Sequence, residues 1–132
     1  MGSYQSVFTP SCLEGLFPAE ERTAAFFDAL FGDAEDGAYD IRLTFQRARE
    51  GAAEQLEFFF ELHQRRGMCL ACNLTHGLPQ VFRRHPVIAL NDLCAGIARR
   101  AGWTDGEWSW ELGETEEVSD SLHVIPLKLM KN

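Results

Sequence analysis

Between residues 39 and 63 the chain twice alternates apolar and polar residues with a period of two, and this pattern constrains the fold most. Tyr39, Ile41, Leu43 and Phe45 interleave with Asp40, Arg42, Thr44 and Gln46; Leu56, Phe58, Phe60 and Leu62 interleave with Glu57, Phe59, Glu61 and His63. Successive side chains of a strand point to opposite faces, so each run has one apolar face and one largely polar face. A slip of one residue would carry Glu57 and Glu61 into the core, so the register is strongly specified. Strands of this kind belong to an antiparallel sheet covered on one face, not to a parallel sheet buried on both.

Helical spacing brackets these runs. Ala24, Phe27, Leu30 and Phe31 share a face of a helix over 18–31, with Pro18 suited to its first position and Gly32 to its end. Leu90, Leu93, Cys94, Ile97, Ala98 and Ala101 form the stripe of a second helix, for which Asn91 is the expected N-cap. Further strands are expected at 68–74, 108–112 and 122–129, with Pro126 pointing to an edge or a bulge in the last. Residues 1–17 read as an irregular segment that lays Val7, Phe8, Leu13, Leu16 and Phe17 on the core. Hairpin-length connections between the first three strands favour a meander. The expectation is a single α+β domain over 1–132, an antiparallel five-stranded sheet with helices packed on one face, in the order α-β-β-β-α-β-β.

At 132 residues such a domain buries roughly two-thirds of its unfolded surface and needs neither disulfide nor metal to fold. The net charge of −8 disfavours nucleic acid and anionic membrane as partners, because neither gains by meeting an acidic surface. No apolar run approaches the length of a spanning helix, and the N-terminus lacks the basic and apolar regions of a signal peptide. Four cysteines without an export signal then read as thiols of a cytoplasmic protein. The Met1-Gly2 start matches a bare myristoylation pattern, a short motif of little specificity.

The residues that bear chemistry are few. Cys69 and Cys72 have the C-x-x-C spacing of a zinc knuckle, and His76 would extend it. The alternation of Met68, Leu70, Cys72 and Leu74 argues instead for a strand, with Cys72 inward and Cys69 on the other face. His63, His76, His85 and His123 have neither a nucleophile nor a carboxylate at a telling spacing and read as surface or turn residues. The acidic stretch from Glu111 to Asp120 lacks the oxygen pattern of a Ca²⁺ loop and reads as a solvated connection. No Gly-rich phosphate loop, G-x-S-x-G or H-E-x-x-H occurs. Phe59 breaks the polar face of its strand and is the apolar residue to expect at a contact.

The sequence therefore points to a non-catalytic, acidic protein-binding or assembly module working through the open sheet face. Phe59, Glu57, Glu61 and His63 are its interface candidates, and a protein partner or a second copy in a homodimer is the expected occupant. No cofactor is expected. The first alternative is a zinc-binding domain using Cys69, Cys72 and His76, and the second is a small enzyme with a histidine in a sheet–helix cleft.

Overall fold

The computed structural model describes residues 3–32, 39–49, 54–65 and 78–131. Strand β1 (Tyr39–Arg49) pairs antiparallel with β2 (Gln55–Gln64), Ile41 facing Leu62 and Leu43 facing Phe60. The other edge of β2 pairs antiparallel with β5 (Leu122–Lys131), Phe60 facing Ile125 and Phe58 facing Leu127. Strands β3 (Trp108–Leu112) and β4 (Glu116–Ser119) both lie along the far edge of β5. The result is an antiparallel five-stranded sheet in the order β1-β2-β5-β3, with β4 also on β5.

One face of this sheet is the core. Leu56, Phe58, Phe60 and Leu62 are fully buried, as the alternation requires. Among the described residues five helices supply the other layer: α1 (Ser3–Val7), α2 (Pro10–Leu16), α3 (Ala19–Phe31), α4 (Leu78–Phe82) and α5 (Leu90–Ala101). Aromatic rings of this layer meet the sheet edge-on: Phe8, just after α1, lies 5.2 Å from Phe58, while Phe17, the C-cap of α2, and Phe82 of α4 lie 5.5 and 5.3 Å from Phe60. Edge-to-face pairs at these separations gain from the ring quadrupoles in addition to the area they bury. The α+β class and the one-sided helical layer follow the sequence reading.

Several local expectations are overturned. Residues 3–16 are not irregular. They form α1 and α2, the latter begun by Thr9, whose hydroxyl accepts from Cys12 N, and by Pro10 in the first turn. Helix α3 starts one residue late, with Pro18 as its N-cap. Ala89 occupies the N-cap position of α5 in a left-handed conformation (φ 49°), and the Asn91 side chain instead accepts from Trp110 Nε1 at 2.9 Å.

The sheet order departs from a meander. Both edges of β2 are taken, by β1 and β5, so no third strand can follow β2 beside it. The expected strand over 68–74 lies outside the described residues. The solvated acidic connection resumes pairing as β4, every residue of which is exposed.

Pro126 sits in a strand with neighbours on both sides. Its carbonyl accepts from Gly113 N, between the end of β3 and the start of β4. The N–H and C=O of one residue leave the same edge of an antiparallel strand, so the missing N–H faces that break in the ladder. A Cβ at Gly113 would stand 3.4 Å from the Pro126 ring, in ordinary van der Waals contact, so the pairing does not itself demand glycine.

The free edge of β1 is closed at one point by a side chain. Thr23 of α3, 1% exposed, accepts from Ile41 N at 3.0 Å and donates to Ile41 O at 3.3 Å. A second tie holds the opposite end of the sheet. Glu54 Oε2, at the entry to β2, accepts from the Tyr4 hydroxyl of α1 and from Trp103 Nε1 at 3.3 Å, while Glu54 O accepts from Lys131 N. The Tyr4 hydrogen bond, with help from Trp103 and the Lys131 charge and against a desolvation penalty, holds this carboxyl below its ordinary value of 4.5.

Two outcomes are expected. Thr23→Val keeps the shape but leaves both Ile41 groups unpaired, costing about 1–3 kcal/mol in urea unfolding. A depressed carboxyl pKa stabilises above the ordinary value and loses that contribution as pH falls through the folded value. Wild type should therefore be more stable than Glu54→Gln at neutral pH. The gap between their thermal midpoints should close as the pH falls below 4.5.

Candidate binding surface

The face of the sheet opposite the aromatic core gathers all four interface candidates. Glu57, Phe59, Glu61 and His63 project from β2 beside Arg42 and Thr44 of β1 and Val124, Pro126 and Lys128 of β5. Phe59 is half-buried with Thr44 on one side and Pro126 on the other. Because Pro126 directs its polar groups away from β2, Phe59 and Pro126 form a non-hydrogen-bonded pair, the closer of the two pair types.

The charged neighbours are engaged within this face. Glu61 Oε2 accepts from Thr44 Oγ1 at 3.1 Å, and its Oε1 lies 2.8 Å from His63 Nε2. Glu57 Oε2 lies 3.3 Å from Arg47 Nε and 3.8 Å from Arg49 Nε. Those distances make ion pairs, yet the same oxygen has no directed hydrogen bond. The charges hold it by Coulomb attraction without N–H groups aimed at it. Among the described residues the large apolar side chains classed as exposed are Val81 and Val118, neither of them in this row. The outer face is thus a laced polar layer around Phe59, not a bare apolar patch.

The concave surface lies round the corner, at the β1 edge. One hollow of about 510 Å³ is lined by Phe8, Pro10, Leu13 and Glu14 on the helical side and by residues 42–46 on the strand side. A second, of about 650 Å³, is lined by Glu14, Glu20, Asp40, Arg42 and His63 among others. They share Glu14 and Arg42, so together they form one groove that reaches the outer face at His63.

The backbone in the first hollow is unusual. Thr23 binds both polar groups of Ile41, so those groups point away from β2. The direction repeats every second residue, which sends the N–H and C=O of Leu43 the same way. Among the described residues none is a backbone partner for Leu43 on that edge. The β1–β2 register then shifts between Phe45 and Arg47.

The other chemical candidates sort as follows. Cys69, Cys72 and His76 lie outside the described residues. Among the described residues no group of three or more His, Cys, Asp and Glu side chains is placed to hold a metal ion. Cys94 is buried in the α5 stripe, where desolvation pushes its thiol up to about 12, so it packs as a small apolar group.

His123 is no surface residue. It is 2% exposed, faces Leu62, and its Nε2 lies 3.5 Å from Glu117 Oε1. Its position parity with Ile125, Leu127 and Leu129 was the available signal. His85 stacks edge-on against Phe26 at 4.8 Å. No described helix is long and apolar enough to cross a membrane.

Comparison with protein-family models, with curated proteins and with solved structures finds no match for this chain.

Proposed function

We propose that this chain is a non-catalytic protein-binding module. Its partner seats in the groove beside the free edge of β1, with Phe59, Glu57, Glu61 and His63 on the adjoining outer face. The observation that carries this reading is the unpaired backbone of Leu43 inside a hollow walled by Phe8, Pro10 and Leu13. Exposed strand edges are templates for other chains, and proteins cover, charge or shorten them unless the edge has a use. Here α3 covers Ile41, while Leu43, itself only 4% exposed, has no hydrogen-bond partner on that edge among the described residues.

A second reading has one observation in its favour. His63 is held by Glu61 at 2.8 Å and lines the larger hollow, as a general base would. The side chains around it there are carboxylates and the Arg42 guanidinium, with no hydroxyl or thiol in the lining. That set suits recognition of a cationic group better than nucleophilic chemistry.

The test is photo-crosslinking in cells that make the protein. Benzoylphenylalanine replaces either Gln46, exposed in the groove, or Glu107, exposed beside β3 at the opposite edge of the sheet. A binding module should give discrete protein adducts from position 46 and not from 107. Adducts from neither position, or the same adducts from both, would rule the groove out as the docking surface.

A further inference from the structure

Resting on that reading, we infer that the occupant of the groove is an extended, basic peptide segment added to β1 as a short extra strand. Three features combine: the bare backbone, the length of free edge and the charge along the groove.

The Leu43 N–H and C=O offer the paired donor and acceptor by which an added strand attaches, the main-chain mode of strand addition. Side chains of an added strand alternate between faces. One set would enter the hollow against Phe8, Pro10 and Leu13, and the other would lie beside Arg42 and Thr44 on the outer face. Apolar residues suit the first set.

The free edge is short. Helix α3 blocks it at Ile41 and the register shift breaks it after Phe45. A slender peptide fits such an interval, whereas pairing two whole copies edge to edge would need a longer one.

The charge sets the composition. Beyond Leu43 the groove continues past Glu14, Glu20 and Asp40, with the guanidinium of Arg42 in its lining and that of Arg65 on Asp40. Asp40 is already paired with Arg65 at 3.1 Å, and Glu14 accepts from Ala19 N at 3.1 Å, so Glu20 and the outer lobe of Glu14 offer the open charge. Lys or Arg following the apolar residue would meet them, and the net charge of −8 would steer such a segment in.

The experiment uses the full chain and a random twelve-residue peptide library displayed on phage. Enriched peptides should carry alternating apolar residues next to Lys or Arg. The best of them, synthesised, should slow amide exchange at Leu43 by about tenfold or more, because a new hydrogen bond closes that N–H. N-methylation at alternate residues of the peptide should abolish binding, and Glu14→Lys with Glu20→Lys should weaken it by about tenfold, on the order of two rim charges reversed.

Three results would overturn the inference: no enrichment over background, a bound peptide that leaves Leu43 exchange unchanged, or concentration-dependent dimerisation that protects Leu43 without any peptide. The second would leave the broader reading standing if position 46 still crosslinks a protein. Failure of both experiments removes the broader reading as well.

Discussion

The register of β2 is the constraint on which the rest of the structure depends. Phe58 and Phe60 stand on the same face of a strand with neighbours on both edges, and the rings of Phe8 and Phe17, which follow α1 and α2, and of Phe82 in α4 converge on that pair. Truncating either ring would cost about 3–5 kcal/mol, a large part of what a domain of this size has to lose. The same register sets the polar layer. With Phe58 and Phe60 inward, Glu57 must lie near Arg47 and Arg49, and Glu61 near Thr44 and His63. A single-residue slip would bury two carboxylates and expose four large apolar side chains, so hydrophobic burial and charge desolvation act in the same direction.

From this the handling of the sheet edges follows. Two strands of the interior, β2 and β5, have partners on both sides, and the remaining edges belong to β1, β3 and β4. The β4 edge is exposed throughout and carries Glu116 and Glu117, charge that discourages pairing with another chain. The β1 edge is handled differently: a threonine hydroxyl takes the place of a neighbouring strand at Ile41 and no group does so at Leu43. Asymmetric protection of this kind leaves the donor and acceptor of Leu43, a residue only 4% exposed, beside the apolar walls of the hollow. The outer face contributes little free apolar area, since Glu57 and Glu61 lie against Arg47, Arg49, Thr44 and His63 around Phe59, and that is why the proposed docking is assigned to the groove and not to Phe59.

What the sequence made legible was whatever depends on local period. Alternation gave β1 and β2 with the correct inward residues, and spacing of three and four gave the helices α3 and α5, though α3 buries Thr23 and Phe26 with Phe27 and leaves Ala24 half-buried. What it hid depends on pairing between distant segments. Nothing local says that β2 joins β5 across the two intervening helices α4 and α5, nor that Pro126 would be tolerated inside a sheet because β3 and β4 part opposite it. Other misses had signals. Thr9-Pro10 is a helix start, and the parity of Ile125, Leu127 and Leu129 placed His123 inward. Alternation placed Glu57, Phe59, Glu61 and His63 together on the outer face, but it carried no sign of the β1 edge on which the proposal rests. Free backbone groups leave no trace in side-chain identity.

The preference for binding over catalysis rests on how the groove's polar groups are distributed. A catalytic site converges donors, acceptors and a nucleophile on one reacting atom. Here they are strung out: the free backbone of Leu43, then the carboxylates of Glu14 and Glu20, then His63 at the corner with the outer face. The two hollows meet end to end through Glu14 and Arg42, so the groove has length without a focal point. An extended chain, the proposed occupant, would meet the Leu43 backbone, the apolar wall and the charged extension in succession. The groove would serve a compact substrate poorly, because such a molecule could reach only one of those features at a time.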